Sequence, residues 1–515
     1  MALITAHWGL DGIIVLTTLV TAAYLFMTRK FNYWKNRGVT ELQPTPFFGN
    51  FTDCMLFKKS PGYLMKDFYD QGKGLPYLGF FILDKPVLLI RDRELVKDVL
   101  IKDFNYFADR YSTADTKDRM GYVNLFFLKN PAWKILRGKL TPFFSSGKLK
   151  KMFELMVEVA KNVDTCLESL ELVGEGKEME VKDITAKYSI DMIACTAFGF
   201  NVNSLNNPDA EFLKYAKIIF EIDIVRGLEF FAMFFLPSII KWTGTKSFGK
   251  ATEFLREVFW QAINERIKSD VKRHDLIDIL IELKKSHGDQ DVGGFKFDGD
   301  DLVAQAAIFF TGGFESSTTT ITFTLYELAV YPEIQDRVRK EIFDALERSD
   351  GKITYDMIMS LSYLDMVVSE ILRKYPPLPF LDRVTTNTYK VPDSDLVLEK
   401  DTPIYVSMLG MHYDPEYFPD PEKFDPERFN EENKRNIPSC AYFPFGEGPH
   451  SCIGLRLGLL QSKLGIIKIL INYEVTPSRK TLIPMVFDPK ALATSPLGGG
   501  MYLNIRKVKN GTNLK

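Results

Sequence analysis

The stretch Phe443-Pro444-Phe445-Gly446-Glu447-Gly448-Pro449-His450-Ser451-Cys452-Ile453-Gly454 decides the fold, because its single cysteine comes directly before a long apolar segment. Residues 453–475 lack proline and carry Leu, Ile and Lys at helical spacing, which predicts a helix. A thiol ahead of that helix faces unpaired backbone N–H groups and the positive end of the helix dipole, so we expect its pKa to be lowered. A thiolate held in this way is a soft ligand that suits a heme iron.

Residues around the cysteine fit the same interpretation. Phe445 can cover the sulfur and exclude water, and Gly448 and Gly454 allow the backbone to approach a flat macrocycle closely. Two alternatives compete: a buried cysteine is commonly a small hydrophobic residue, and two glycines separated by one residue can begin a dinucleotide loop. Ser451 stands where that loop needs a third glycine or alanine, so the dinucleotide reading fails.

The pattern Phe445-x-x-Gly448-x-x-x-Cys452-x-Gly454 resembles the heme-binding loop of the cytochromes P450, the heme-thiolate monooxygenases. The resemblance implies heme b as cofactor, with the Cys452 thiolate as the axial ligand of the iron. His450 stands where the family usually has an arginine that holds a heme propionate. A histidine can donate a hydrogen bond, but it carries full charge only below about pH 6.5.

A second motif lies in a long helical segment. Residues 301–331 predict one helix with Gly312-Gly313 in its interior, where each glycine costs about 1 kcal/mol relative to alanine. Either close helix packing or room for a ligand must compensate for that cost. The run Gly312-Gly313-Phe314-Glu315-Ser316 resembles the family's oxygen-activation motif, with serine in place of the usual threonine. The resemblance implies that Ser316 donates a hydrogen bond to bound dioxygen and that Glu315 feeds in protons.

A charged cluster forms a third element. Glu370 and Arg373 are three residues apart, so they share one face of a helix and can pair. An exposed pair at that spacing contributes little by itself. Together with Arg428, in the later Pro-Glu-Arg-Phe run, the pair resembles the family's buried glutamate–arginine–arginine cluster. The resemblance implies a structural role around the cysteine.

Three more residues resemble the family's propionate-binding positions. Trp133 and Arg137 lie four residues apart after Pro131, on one face of a short predicted helix. Arg383 occupies the family's other such position. Indole and guanidinium N–H groups can both donate to a propionate, and we expect these residues to carry more of the anchoring because His450 is a weaker partner.

Composition limits the remaining possibilities. The 515 residues are 46% hydrophobic and 26% charged with a net charge of −2, which is ordinary for a globular protein and argues against a nucleic-acid partner. Five cysteines without CxxC spacing and five histidines without an HExxH motif indicate neither a disulfide framework nor a zinc site. Helical periodicity dominates and strand-like runs are few, so we expect a mainly α fold with small β-sheets. The resemblance implies that this is the cytochrome P450 fold.

The amino-terminal segment predicts a single membrane helix. Residues 8–27 are mostly apolar and are followed by Arg29, Lys30, Lys35 and Arg37, an order that favours an uncleaved anchor and a cytosolic body over a cleaved signal peptide. We therefore expect an anchor at 1–28, a basic and Pro-rich linker at 29–50 and a catalytic domain at 51–515. The resemblance to microsomal enzymes implies the endoplasmic reticulum membrane.

The resemblance implies an oxidoreductase that inserts one oxygen atom of O2 into a lipophilic small molecule. The amino-acid sequences of segments 310–319 and 331–335 look most like those of insect enzymes that oxidise toxins and plant compounds. Two alternatives stay open: a hydroxylase of an endogenous lipid or hormone, and a heme-thiolate isomerase that needs no reductase. The retained acid and hydroxyl of Glu315-Ser316 favour the monooxygenase.

Electrons must come from another protein, because the chain shows no convincing nucleotide-binding loop. The resemblance implies NADPH–cytochrome P450 reductase, with cytochrome b5 as a second candidate donor. A basic face is expected to meet such an acidic donor. The candidates are Lys134, Lys139, Lys148 and Lys150.

Candidate substrate-pocket residues lie on the long helix, after the proline pair, in a Gly-rich carboxyl-terminal turn and in an aromatic pair. Each of them could equally belong to an ordinary core. They are Phe309, Phe310, Phe314, Leu378, Phe380, Pro496, Leu497, Phe126 and Phe127.

Overall fold

Helices make up most of the protein and its sheets are small, and this confirms the predicted mainly α architecture. The computed structural model describes residues 5, 7–269 and 271–508. The helices in that part are α1 Trp8–Thr28, α2 Thr52–Met55, α3 Pro61–Gln71, α4 Arg93–Lys97, α5 Arg119–Tyr122, α6 Ala132–Leu140, α7 Ser146–Ser169, α8 Val181–Ile193, α9 Glu211–Ile219, α10 Ile224–Phe235, α11 Ile240–Thr243, α12 Thr252–Ser269, α13 Leu276–His287, α14 Gly299–Val330, α15 Pro332–Arg348, α16 Tyr355–Met359, α17 Ser362–Lys374, α18 Met408–His412, α19 Glu431–Asn436 and α20 Leu455–Asn472.

The strands form two small sheets and two hairpins. They are β1 Tyr77–Ile82, β2 Lys85–Ile90, β3 Lys177–Glu180, β4 Asp291–Val292, β5 Phe295–Lys296, β6 Leu381–Val384, β7 Tyr389–Lys390, β8 Val397–Leu398, β9 Pro403–Val406, β10 Tyr473–Pro477 and β11 Tyr502–Lys507. The larger sheet has the order β1-β2-β9-β6, in which only the β2–β9 pair is parallel. A second, antiparallel sheet has the order β10-β11-β3.

Helix α14 runs through the core. Its amino end is capped by Asp298, whose carboxylate accepts from the Gly299 N–H at 2.7 Å. It packs against α8, α20 and α17, and most of its side chains are buried. Pro332, which fits only the first turn of a helix, begins α15 directly afterwards. The predicted helix at 301–331 is therefore confirmed within two residues.

Two predicted helices differ in extent. Helical periodicity in the sequence predicts a single helix over residues 209–235, but the chain breaks between α9 and α10, where the Asp223 carboxylate accepts from the Arg226 N–H at 2.7 Å and starts a new helix. The helix expected at 453–475 is α20 and ends at Asn472. The apolar run continues directly into strand β10, so its composition gave no sign of the boundary.

Residues after α1, in the segment expected to be a linker, pack onto the larger sheet. Trp34 is 0% exposed and lies against Gly79 of β1, where a side chain would collide with the indole. Leu42 donates its N–H to the Gly79 carbonyl at 2.9 Å, and Gly79 donates to the Thr40 carbonyl at 2.8 Å. The expected linker therefore extends the edge of the larger sheet.

Candidate functional site

The cysteine loop, residues 443–454, is shaped by its own backbone. The Cys452 N–H donates to the Phe445 carbonyl at 2.8 Å. Gly446 and Gly448 adopt φ values of 70° and 69°, in the left-handed region that favours glycine. A side chain at Gly448 would also collide with the carbonyl oxygen of Leu100. The contact with Leu100 by itself therefore requires glycine at position 448, whether or not a macrocycle is bound.

The Cys452 side chain is exposed and its neighbours Ser451 and Ile453 are half-buried, yet enough protein surrounds the thiol for burial to shift its pKa. It faces an internal space, and beside it a Cβ on Gly454 would meet nothing closer than Phe144 at 3.7 Å. Burial among protein atoms raises the pKa of the thiol, and the Gly454 N–H and the charges of Arg137 and Arg110 only partly offset that rise. The expected lowered pKa is therefore wrong for the protein alone. A coordinated metal deprotonates such a thiol outright.

One short stretch of α14 is open to the interior. Gly312 is exposed and Gly313, Glu315 and Ser316 are half-buried, whereas most residues on both sides are buried. A Cβ at Gly312 would meet nothing within 4 Å, but one at Gly313 would lie 2.8 Å from the side chain of Ile193 on α8. The two glycines therefore do different things: Gly312 leaves open space, and Gly313 lets α8 approach.

The predicted proton-transfer residues lie at this opening. Ser316 donates its hydroxyl to the Gly312 carbonyl at 2.7 Å, one turn earlier in the helix. The Glu315 carboxylate lies 3.4 Å from the ammonium of Lys182 on α8, and Lys182 also donates to Ser495 at 3.2 Å. The acid is thus held by a partner that the sequence did not indicate.

Three arginines surround the space next to Cys452. Arg137 donates to the Ser451 carbonyl at 2.8 Å, and both Arg137 and Arg110 are close enough to influence the Cys452 thiol. Arg383, 2% exposed, donates Nη1 to the Asp382 carbonyl at 2.7 Å. The Nε atom of Arg383 and the Nε and Nη1 atoms of Arg110 are buried with no hydrogen-bond acceptor within the described residues.

Positive charge is in excess in this region. Among the described residues, Arg110, Arg383 and Lys129 share two nearby carboxylates, those of Asp109 and Asp382, and the Arg110 guanidinium lies 3.7 Å from the latter. Burial, together with the charge of Arg110, lowers the pKa of Arg383 to about 9. Buried cations with unused donors are costly unless an anion accepts from them.

His450 packs between aromatic rings instead of replacing an arginine charge. Its ring lies 3.8 Å from that of Trp133 and 5.3 Å from that of Phe104, measured between centroids. Its Nε2 is 2.8 Å from the Ala108 carbonyl, which only an N–H can satisfy. Burial and the charges of Arg383 and Arg110 lower the pKa of His450 far below its ordinary value, so the ring is neutral.

These residues fit the heme that the sequence predicted. The open thiol of Cys452 would ligate the iron of such a cofactor, and the uncovered surface at Gly312 would leave room for a flat ring. The unpaired donors of Arg110 and Arg383 match the two carboxylates that such a ring carries. Trp133, Arg137 and Arg383 lie in one neighbourhood, as expected, and Arg110 joins them.

The predicted structural cluster is assembled and buried. Glu370 and Arg373 have side chains 0% exposed and are joined by hydrogen bonds of 2.7 and 2.8 Å. Arg428 lies 3.5 Å from the same carboxylate and donates to the Asp420 carbonyl at 2.8 Å. The Asp425 N–H donates to Glu370 at 3.0 Å. Almost every donor of the cluster has an acceptor within the protein.

The structure divides the predicted pocket residues into two groups. Phe126, Phe309 and Leu378 are half-buried and Leu497 is exposed, so these four keep surface that a ligand could contact. Phe310 and Phe380 are 0% exposed and pack in aromatic clusters, so they do not line it. Phe127, Phe314 and Pro496 are buried as well.

Sequence reasoning missed Arg110, Lys129 and Lys182. Each lies in a segment with no motif, and each reaches the site only because distant segments meet there: Arg110 and Lys129 meet around Asp382, and Lys182 meets α14. The sequence offered a signal for Lys129 alone, which is a cationic residue directly after the apolar run 125–128.

Comparisons with known proteins agree over almost the whole chain. The family model described as "Cytochrome P450" matches residues 40–501. Cytochrome P450 6k1 of Blattella germanica is 44% identical over 515 residues, which covers 97% of this chain and 98% of the relative. Probable cytochrome P450 6g2 of Drosophila melanogaster is 41% identical over 513 residues, with the same coverage.

Proposed function

The chain belongs to the cytochrome P450 family, whose members are heme-thiolate monooxygenases, and from that membership we propose that it oxidises lipophilic foreign compounds such as plant toxins or insecticides. The family and the enzyme class predicted from the motifs are thereby confirmed. Family proteins bind heme through a cysteine thiolate and use O2, a redox partner and lipophilic substrates. The individual residue roles, the substrate and the electron donor are our proposals.

The observation that carries the residue assignment is the open Cys452 thiol in the interior beside unpaired arginine donors. Cys452 is the proposed axial ligand, and Phe445 and Gly454 border it. Arg110, Arg383 and Arg137 are the proposed partners of the carboxylates of the cofactor. When bound, the heme supplies the reductive activation of dioxygen.

We assign proton supply to Glu315 and Ser316. Lys182 holds the Glu315 carboxylate 3.4 Å away, at the opening of α14, where the carboxylate can pass a proton inward from solvent. The Ser316 hydroxyl, bonded to the Gly312 carbonyl at 2.7 Å, must turn away from that carbonyl to donate into the open space. Serine lacks the methyl group that restricts a threonine rotamer, so this rotation is easy.

The proposed substrate space is bordered by apolar side chains. Phe126 and Phe309 are half-buried and Leu497 is exposed. Apolar and aromatic walls with few polar groups favour lipophilic ligands. The insect relatives support foreign compounds as substrates, and an endogenous lipid or hormone is the alternative outcome of a substrate screen.

Helix α1 supports a membrane-anchored protein. It is the one helix in the described residues that is long and apolar enough to cross a bilayer, and its side chains are almost entirely exposed. With Arg29 and Lys30 after it, we propose anchoring in the endoplasmic reticulum with the body in the cytosol. The proposed domain limits are 1–28, 29–50 and 51–515, although residues 1–4 and 6 lie outside the described part.

NADPH–cytochrome P450 reductase is the proposed electron donor, with cytochrome b5 as an accessory. Among the expected basic contacts, Lys139 is bonded to His287 at 2.6 Å and Lys150 to Asp356 at 2.9 Å. Lys134 is exposed on α6, so it is the better candidate to contact an acidic partner.

The decisive experiment is a carbon monoxide difference spectrum of the reduced protein, compared with Cys452→Ser. We expect the thiolate-type band in the parent protein and its loss in the variant. Turnover of a lipophilic substrate panel with NADPH and reductase then tests the reaction. Rearrangement of a hydroperoxide without NADPH, and no NADPH-dependent turnover, would instead support the isomerase.

A further inference from the structure

His412, at the end of α18, lies between the Glu370–Arg373 pair and the cysteine loop. Its side chain is 0% exposed. The ring stacks on Tyr442, with centroids 5.3 Å apart, and contacts Phe443 edge-on at 5.5 Å. It is therefore enclosed by protein on all sides that the structure describes, and away from the open space at Cys452.

Hydrogen bonding fixes the tautomer of this ring. The Phe443 N–H lies 3.1 Å from Nε2, and because an amide N–H only donates, Nε2 must be the unprotonated acceptor. Nδ1 then carries the hydrogen and donates to the Arg373 carbonyl, 3.2 Å away. The neutral ring satisfies both of these backbone groups at once, and a protonated ring would leave the Phe443 N–H without an acceptor.

The contact between His412 and Arg373 is reciprocal. The Arg373 guanidinium donates Nη1 to the His412 carbonyl at 2.9 Å, while the imidazole donates to the Arg373 carbonyl. Arg373 also holds Glu370. The charged cluster and the histidine thus form one buried hydrogen-bonded unit.

This unit continues to the cysteine through the loop backbone. Phe443, which donates to His412, accepts from the Gly446 N–H at 2.8 Å, and Phe445 accepts from the Cys452 N–H at 2.8 Å. The position of the Phe443 amide therefore affects the turn that places the sulfur.

We propose that His412 is a positioning residue that holds the Phe443 N–H and, through it, sets the position of the Cys452 sulfur, so that the charged cluster acts on the iron ligand by way of this ring. The inference rests on the proposed role of Cys452 as that ligand. Burial and the neighbouring Arg373 charge lower the pKa of His412 to about 3, which keeps the required neutral tautomer across the ordinary pH range.

Two substitutions separate the two hydrogen bonds of the ring. In His412→Asn the side-chain amide occupies the Nδ1 position and can still donate to Arg373, but it cannot reach the Phe443 N–H. In His412→Gln the side-chain carbonyl occupies the Nε2 position and can accept from Phe443. Tyr442→Phe is the matched control, because it removes a different hydrogen bond between the loop and α17, from the Tyr442 hydroxyl to the Ser369 carbonyl at 2.9 Å.

The measurement is the rate at which the carbon monoxide complex of the reduced full-length protein loses its thiolate-type band on mild warming, with the unfolding midpoint recorded in parallel. An unsatisfied buried N–H is costly, so we expect His412→Asn to lose the band about tenfold faster than the parent protein. His412→Gln and Tyr442→Phe should stay within about threefold, although Tyr442→Phe also loses a buried hydrogen bond. Equal losses in the Asn and Gln variants, or an unchanged rate in His412→Asn, would overturn the proposal.

A second measurement covers the case in which His412→Asn does not fold. Hydrogen exchange of peptides covering 440–447 should show a protected Phe443 amide in the parent protein, with comparable protection in His412→Gln. An unprotected amide in the parent protein would contradict the proposal. A parent protein that binds heme but shows no thiolate-type band would instead refute the assignment of Cys452, so the two failures are distinguishable.

Discussion

Two buried polar regions flank the cysteine loop and differ in how completely the protein satisfies them. In the Glu370–Arg373 region the arginine donates to its own carboxylate and to the carbonyls of His412 and Pro421. In the Arg110–Arg383 region three guanidinium nitrogens are buried without an acceptor among the described residues, whereas in the cluster around Arg373 this holds for the Arg428 Nε alone. A network that the protein satisfies almost completely stabilises the fold, whereas one with several missing acceptors indicates a ligand that supplies them.

Disrupting the Glu370–Arg373 network is expected to have the largest effect on the yield of folded protein. In Arg373→Met the Glu370 carboxylate stays buried and keeps only the Asp425 N–H at 3.0 Å and the 3.5 Å contact to Arg428 among the described residues, and removing one partner of a buried pair costs about 3–5 kcal/mol. We expect little folded protein with heme, measured as soluble yield and heme content. Arg337→Met, which breaks an exposed pair with Glu427, is the control and should behave like the parent protein.

Removing a donor from the Arg110–Arg383 region should instead weaken cofactor binding. For Arg383→Met we expect an unfolding midpoint of the heme-free protein that is unchanged or raised, and heme affinity lowered about tenfold or more, since a charge-assisted hydrogen bond contributes about 1.5–3 kcal/mol. Heme titration and thermal unfolding measure the two effects.

The control for this experiment is Arg226→Met. Arg226 is buried too, but it donates to Glu229 at 2.7 Å and to the carbonyls of Ile219 and Lys246 at 2.9 and 3.1 Å. We expect that variant to be less stable without heme and to keep its heme affinity. The same pattern in both variants would remove the distinction between the two regions.

The pH dependence of stability should also distinguish the two regions, because the network around Arg373 includes the buried, neutral His412. The pKa of His412 is about 3 in the folded protein, below the ordinary value of 6.5, so the unfolded chain binds the proton first as the pH falls. The free energy of unfolding should therefore decrease from about pH 6.5 downwards, with a contribution of about 2 kcal/mol at pH 5. Urea unfolding at pH 7 and pH 5 should show a smaller difference for His412→Gln than for the parent protein.

The smallest expected effect concerns Ser316. Threonine at this position keeps the hydroxyl and adds a methyl group that restricts its rotamer. We expect Ser316→Thr to raise the fraction of NADPH that yields product by a few-fold at most, about 1 kcal/mol or less. Product formed per NADPH consumed is the measurement, and Ser316→Ala, which lacks the hydroxyl, should lower that fraction.

The sequence predicted most of the fold and part of the site. Helical periodicity predicted the long helix, and the free-energy cost of two glycines in its interior drew attention to Gly312-Gly313. Helix α14 begins and ends within two residues of the prediction. The extent of α20 was wrong, since the same apolar run serves a helix and then strand β10. Arg110 and Lys182 could not be found, because their role comes from contacts between segments far apart in the chain.

Two individual expectations show where local reasoning ends. The position of Cys452 before a helix suggested a lowered thiol pKa, but burial outweighs the helix in the protein alone. Phe310 and Phe380 were natural pocket candidates, yet aromatic neighbours enclose both rings. Periodicity indicates that a side chain is buried, but it does not say whether its neighbours are protein or ligand.

The packing of Trp34 against Gly79 has a mechanical consequence. Arg29 and Lys30 both approach Asp84, at 3.3 and 3.4 Å, so the end of α1 is joined to the turn between β1 and β2 by charge as well as by the indole. These contacts restrict rotation of α1 relative to the rest of the protein. If α1 spans a bilayer, the orientation of this helix would therefore set the tilt of the body relative to the membrane plane.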